Sequence, residues 1–261
     1  MDEALVSAIC DTAWGYLETG NEVFDLDGCT FVRNRACPRR WDANQVTRIR
    51  CRASTDIDLL FENVEREYDG CDHRRFAVDP LTPPSVVARL VLQDYPFVET
   101  VWLGLDGELA GGAPEVDIRL MQTEQDWRNT VPLVEAEWGE ALRKQRRAVD
   151  NSIVPEFVAT KRAKSPPIRH WMAYVGGTAC AYFSSWEGRN GIGIIEDLFT
   201  LPRYRHRGIA TALLHHCVAD ARAHGASMII IGALSDDTPK RMYAAMGFRP
   251  LLTTRHYTRS F

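Results

Sequence analysis

The residues best suited to chemistry lie together in the run Glu196-Asp197-Leu198-Phe199-Thr200-Leu201-Pro202-Arg203-Tyr204-Arg205-His206-Arg207-Gly208-Ile209-Ala210-Thr211. Arg203, Arg205 and Arg207 gather positive charge immediately before Gly208 and the small Ala210. The first amides of a helix lack partners and carry a partial positive charge, so a tight loop entering a helix is an anion cradle. Glycine lets the backbone come close to a phosphate with no Cβ in the way. A pyrophosphate is the natural guest of such a loop.

The elements that must position this loop follow from pattern. Ile192 to Thr200 is strand-like, and from Gly208 onward Ile209, Ala210, Leu213, Leu214, Cys217, Val218 and Ala221 form one apolar helical face that stops at His224-Gly225. Upstream, Arg169 to Tyr174 and Thr178 to Phe183 read as strands joined at Val175-Gly176-Gly177, and Gly188-Arg189-Asn190-Gly191 is a second turn. Glu115 to Met121 alternates as a strand, and Thr123-Glu124-Gln125-Asp126 starts a capped helix running towards Arg147. Downstream, Met228 to Ile231 is a short buried strand. Thr238-Pro239 opens a short helix ending at Gly247, with Thr238 as N-cap, and Phe248 to Tyr257 supplies further strand. The order β, α, α, β, β, β, α, β, α, β predicts a mixed α/β sheet flanked by helices.

The order R-x-x-G-x-A from Arg205 to Ala210, with Pro202 three residues earlier and an apolar strand before it, resembles the cofactor motif of the GNAT superfamily of N-acetyltransferases. Tyr243-Ala244-Ala245-Met246-Gly247-Phe248 resembles that family's Y-x-x-x-G-F segment, so the resemblance spans roughly Glu115 to Phe261. It implies a GNAT-like fold for this region and acetyl-coenzyme A as cosubstrate, with no metal. It also implies that Arg205, His206, Arg207, Gly208, Ile209, Ala210 and Thr211 bind the coenzyme A pyrophosphate. Backbone groups of Leu198, Phe199 and Thr200 would then meet the acetyl carbonyl and pantetheine arm, and Tyr243 would protonate the departing thiolate. Asp236 stands where many members have Asn, a departure that puts its cofactor contact in doubt.

The acceptor implied by the resemblance is a primary amine of a small molecule or peptide. Members with a similar I-E-D segment use it to contact the acceptor, which brings in Glu196 and Asp197. Alternation along a strand puts Glu196 on the face of Leu198 and Thr200 and Asp197 on the other. Glu196 is then either the base or acceptor anchor, or a strand-edge carboxylate paired with a nearby arginine. Tyr243, likewise, either protonates the thiolate or packs its ring on a short helix. Two other functions remain open, a coenzyme-A-binding sensor or scaffold without turnover and an acyltransferase for longer acyl groups. His206, His215 and His216 read as loop or packing residues rather than catalysts.

Asp106-Gly107 and Gly111-Gly112-Ala113-Pro114 are the clearest punctuation in the chain and put a domain boundary between 114 and 115. Residues 1–114 then form a smaller α/β domain, with helices at Ala4 to Leu17 and Asp56 to Tyr68 and strands near Thr30 to Arg33 and Val98 to Leu103. It contains no R-x-x-G-x-G/A loop. Its helix, Tyr95-Pro96-Phe97 and strand echo the end of the chain, as a degenerate first half of a tandem acetyltransferase would. Trp41, Asp42 and Asn44 either line an acceptor pocket or form a structural turn with Trp41 plugged into the core.

Composition excludes several classes. The 261 residues are 45% hydrophobic and 25% charged with a net charge of −4, which argues against nucleic acid as a partner. Seven scattered cysteines without a C-x-x-C pair suggest neither disulfides nor zinc, and the chain shows neither a secretory leader nor a bilayer-length apolar run. A cytoplasmic protein is expected. The scarcity of lysine, only Lys144, Lys161, Lys164 and Lys240, reads as codon bias.

Overall fold

The computed structural model describes residues 2–261. In chain order its elements begin with α1 (Glu3–Glu18), β1 (Glu22–Leu26), β2 (Cys29–Arg33), β3 (Gln45–Thr47), α2 (Ser54–Glu67), β4 (His73–Val78), α3 (Pro84–Leu92) and β5 (Phe97–Leu105). They continue with β6 (Asp117–Leu120), α4 (Glu124–Lys144), α5 (Val154–Ala163), β7 (Arg169–Val175), β8 (Thr178–Arg189), β9 (Ile192–Thr200) and α6 (Ile209–Ala223). The chain closes with β10 (Met228–Leu234), α7 (Pro239–Ala245) and β11 (Arg249–Ser260). The α/β class with a mixed sheet matches the expectation from pattern. Among the described residues no helix is long and apolar enough to cross a membrane.

Contacts divide the chain into two compact units, and the division is not sequential. The first runs to Gly104 and takes up Gly232–Phe261; the second is Leu105–Ile231. The expected boundary at 114/115 put the whole C-terminal stretch in one domain, whereas α7 and β11 belong to the compact unit that contains the N-terminus. The reason is hydrogen bonding. β11 lies between β4 and β5, antiparallel to both, with Tyr257 opposite Phe76 on one side and Phe97 on the other. Strand order in this unit is β1-β2-β3-β4-β11-β5. One face carries Phe31, Phe76 and Tyr257 into a core closed by Leu60 and Val64 of α2 and Val86 and Leu90 of α3. The other face meets α1 through Ala77, Cys10 and Trp14.

In the second unit the order is β10-β9-β8-β7-β6. β6 to β9 pair antiparallel, and β10 pairs parallel with β9. α4 begins with the expected capping box, Thr123 and Asp126 each satisfying the other's backbone N–H. Trp127, Leu133 and Val134 of α4 and Val154 of α5 pack on Met172, Tyr182 and Phe199. α6 covers the other face, where Asp220 accepts from Arg169 Nε at 2.7 Å and His216 meets Trp171 edge-on at 4.2 Å. Thr238 precedes α7 but makes no side-chain cap, because its own backbone is already helical.

Candidate functional site

β9 is built in two parts. Its first three residues pair with β10, Ile192 with Met228 through Ile194 with Ile230, and the parallel ladder ends there. Beyond Ile194, β9 stays paired with β8 but through a register shift: Glu196 faces Ser184 and Phe199 faces Tyr182. Asp197 sits in the shift with φ 67°, in the left-handed region that few residues other than glycine, asparagine and aspartate enter. The bulge also corrects the parity expected for the carboxylates. Opposed residues share a face, so Glu196 is on the face of Phe199, towards α4 and α5, and not on that of Leu198 and Thr200.

After Thr200 a single turn of 3-10 helix, Pro202–Tyr204, leads to the loop. His206 has φ 60° and Gly208 φ 77°, and α6 starts at Ile209 with no side-chain cap. The first helical amide to bond back is that of Ala212, to Gly208 O at 2.9 Å, which leaves the amides up to Thr211 without helical acceptors. Alternating left- and right-handed residues ahead of an uncapped helix form the concave amide surface that suits an anion. The arginines divide the work. Arg205 is structural, donating through Nε to Thr200 O at 2.9 Å and through Nη2 to Glu140 at 2.7 Å. Arg203 and Arg207 flank Tyr204, each with its guanidinium 5.1 to 5.5 Å from the ring centre, and neither is ion-paired among the described residues.

Gly208 has a second reason to be glycine. A Cβ there would lie 2.8 Å from Pro114 Cγ, so the Pro114 ring packs against the loop. Thr200, 9% exposed, ends β9 with its Oγ1 buried and lacking any protein partner. An uncapped helix, two uncommitted guanidinium groups and an orphaned hydroxyl together fit a pyrophosphate-bearing molecule reaching back along β9.

The remaining expected site residues fall in several environments. Asp197 accepts an ion pair from Lys161 of α5 at 2.8 Å. Tyr243, on α7 in the first unit, is buried with its ring 6.1 Å from that of Phe248. Asp236 is exposed in the turn before α7. Of the Trp41 cluster, Asn44 is committed to the fold: its Oδ1 accepts from Asn34 N at 2.8 Å and its Nδ2 donates to Cys37 O and Arg40 O. That turn is structural at Asn44. Asp42 pairs with Arg40 at 2.6 Å, and Trp41 is partly exposed against Arg75 and His73. His215 and His216 have buried Nε2 atoms without partners, and burial lowers the His216 pKa.

Residues missed from sequence line the α4–α5 side. Lys161 lies 4.9 Å from the Tyr182 ring centre, and the Tyr182 hydroxyl donates to Glu137 of α4. These contacts tie α4, β8 and α5 to the β9 bulge. A signal existed in the lysines, since two of only four, Lys161 and Lys164, are buried at 7% and 4% exposure. His170, directly opposite Ser184, is 4% exposed and edge-on to Trp127 at 5.5 Å. Burial, with Lys161 adding to it, pushes its pKa down to about 3.

That depression has a defined sign. Folded His170 stays neutral while unfolded His170 takes a proton near its ordinary value of 6.5, so stability falls as pH drops from there towards 3. Urea unfolding between pH 7 and about 4.5 should lose up to about 1.4 kcal/mol per pH unit from this one group. His170→Gln should flatten the slope by that share, and an unchanged slope would show that His170 titrates freely in the folded protein.

With this geometry in view, comparison with known proteins identifies the fold. The family model described as Acetyltransferase (GNAT) family matches residues 130–248. Among solved structures the chain is similar to a GCN5-related N-acetyltransferase from Kribbella flavida, at 13% identity, covering 97% of this chain and 95% of that one with a TM-score of 0.67. It is also similar to a GCN5-related N-acetyltransferase from Sphaerobacter thermophilus, at 16% identity, covering 98% and 91% with a TM-score of 0.60. A tandem GNAT protein from the clavulanic acid biosynthesis pathway matches at 18% identity, covering 80% and 70% with a TM-score of 0.55. Comparison with curated proteins gives no match. At such identities the shared property is the fold. The C-terminal half of the chain has the GNAT-superfamily acetyltransferase fold, a fold consistent with acyl transfer from acetyl-coenzyme A in general.

Proposed function

We propose that the protein is an N-acetyltransferase that moves the acetyl group of acetyl-coenzyme A to a primary amine of a small molecule or peptide by direct attack in a ternary complex. The observation that carries this reading is the end of β9: it leaves β10 after Ile194, bulges at Asp197 and runs into the left-handed Gly208 and the uncapped α6. Main-chain amides freed by the parting of two strands are fixed dipoles, and fixed donors aimed at a developing oxyanion are worth most where water is excluded. The thioester supplies an activated acyl group with a good leaving group. The amides from His206 to Thr211, with Arg203 and Arg207, would hold the pyrophosphate, and the backbone of Leu198 to Thr200 would receive the acyl end.

An amine attacks only when neutral. In this reading Glu196 takes up or orders that proton, and Tyr243 returns one to the thiolate. Residues 1–114 are read as a degenerate half of a tandem acetyltransferase, which leaves one cofactor loop per chain. Thiol release on mixing acetyl-coenzyme A with a panel of amines tests the reaction, and release no faster than thioester hydrolysis with every amine would count against it. With an accepted amine, Tyr243→Phe should lower kcat about 100-fold with little change in acetyl-coenzyme-A affinity, while Glu196→Gln should remove the acidic limb of the pH–rate profile. An unchanged kcat takes Tyr243 out of the mechanism, and a retained acidic limb takes out Glu196.

A further inference from the structure

Among the described residues of the first unit, Arg75 is a largely buried cation with no carboxylate in ion-pair contact. β4 and β11 pair so that Arg75 lies opposite Thr258 and Ala77 opposite His256. These four therefore share one sheet face, with Arg75 and His256 as diagonal neighbours, while Phe76 and Tyr257 point into the core on the other. Arg75 donates through Nε to Gln45 Oε1 at 3.3 Å and through Nη1 to Thr258 Oγ1 at 3.0 Å, and its guanidinium lies 5.7 Å from the centre of the Trp41 ring. Every one of these partners is neutral.

Other arginines of the same unit are treated differently. Arg33 pairs with Glu22 and Glu67, Arg48 with Asp11 and Glu18, Arg50 with Asp79, and Arg74 with Glu65. The carboxylate nearest in sequence to the Trp41 ring, Asp42, is bound to Arg40. The cost of Arg75 is visible in its acidity: desolvation pulls its pKa down to about 10 even though the charge of the nearby Asp42, itself bound to Arg40, pulls it up. His256 supplies a second, independent observation. It is 8% exposed, its ring stands edge-on to Trp14 at 5.8 Å, and its Nε2 is buried with no protein hydrogen-bond partner. Burial and the Arg75 charge hold it neutral, so Nε2 can carry a proton and donate it.

We propose that Arg75 and His256 form a binding site for the carboxylate of a small organic acid, entered beside Trp41. A planar guanidinium matches a carboxylate, and the imidazole Nε2 would donate to one of its oxygens. Arg40 and Asp42 offset each other, so the net charge on offer is that of Arg75 alone, which suits a monoanion. A phosphate dianion would bring a second negative charge close to Asp42. Trp41 and Arg75 are both partly exposed, which provides the approach, and the indole ring gives an apolar wall for the body of the acid. None of its residues is assigned to the coenzyme A loop, so carboxylate binding can be tested without acetyl transfer.

Calorimetric titration of the full-length protein with benzoate and propionate, against inorganic phosphate and chloride at matched ionic strength, is the test. Saturable binding of a carboxylate is expected, weakened tenfold or more by Arg75→Gln and by His256→Phe, the latter keeping a ring against Trp14. Circular dichroism reports whether each variant folds. Should either fail to fold, the nitrogen shift of the His256 imidazole in the wild-type protein must still move on titration with benzoate. No saturable carboxylate binding, binding unaltered in folded variants, an unmoved His256 signal or phosphate binding as tight as carboxylate would each overturn the assignment.

Discussion

Gly208→Val is expected to abolish saturable binding of acetyl-coenzyme A in a protein that still folds. Two independent facts act at that position. The residue has φ 77°, and a β-branched side chain in the left-handed region costs on the order of 1–3 kcal/mol. Its new Cβ would also lie 2.8 Å from Pro114 Cγ, closer than carbon atoms approach, so either the loop or the 111–114 segment must move. Movement of the loop turns the amides that precede Ala212, and these are the groups assigned to the pyrophosphate. Gly208→Ala brings the same Cβ with less bulk and should weaken binding by a smaller factor. Titration calorimetry with acetyl-coenzyme A, beside a thermal melt to establish folding, gives the answer, and native affinity in a folded valine variant would remove the loop from the cofactor site.

Deletion of 249–261 should have the largest effect on stability, and the fragment 115–261 should fail for the same reason. β11 fills the space between β4 and β5, pairing with β5 from Arg249 to Tyr257 and with β4 from Arg255 to Ser260. Without it, two strands lose their shared ladder, Phe76 and Phe97 lose Tyr257, and Trp102 loses the Thr254 hydroxyl to which its indole N–H donates at 3.0 Å. The fragment 115–261 has the converse defect, since β11 would expose both edges to pairing with other chains. Soluble yield and hydrogen exchange of the β11 amides are the measurements. A monomeric 115–261 fragment with protected β11 amides would show that this strand has partners of its own.

Legibility differed between elements for physical reasons. The hairpin at Gly176-Gly177, the Thr123–Asp126 capping box and the apolar face of α6 are each decided within a few residues, by backbone freedom, capping and a 3.6-residue period. All three were readable. The face of Glu196 was not, because strict alternation has no means of registering an inserted residue, and the bulge at Asp197 is held by Lys161, 36 positions away in sequence. Asn44 has the chemistry of a recognition residue but is spent on hydrogen bonds to three backbone groups, of Asn34, Cys37 and Arg40, which only the folded turn reveals.

Sequence by itself determined the order of elements from β6 to α7 and the loop from Arg205 to Thr211, since glycine at a left-handed position and an uncapped helix start are local properties. Tertiary structure alone decided that Arg205 braces the loop against Glu140, that β11 completes the unit containing the N-terminus, and that Arg75 is left without an ion-pair contact. Those outcomes depend on which distant segments meet. Strand pairing and ion pairing act between residues brought together by the whole chain's burial of apolar surface, and no window along the sequence contains both partners.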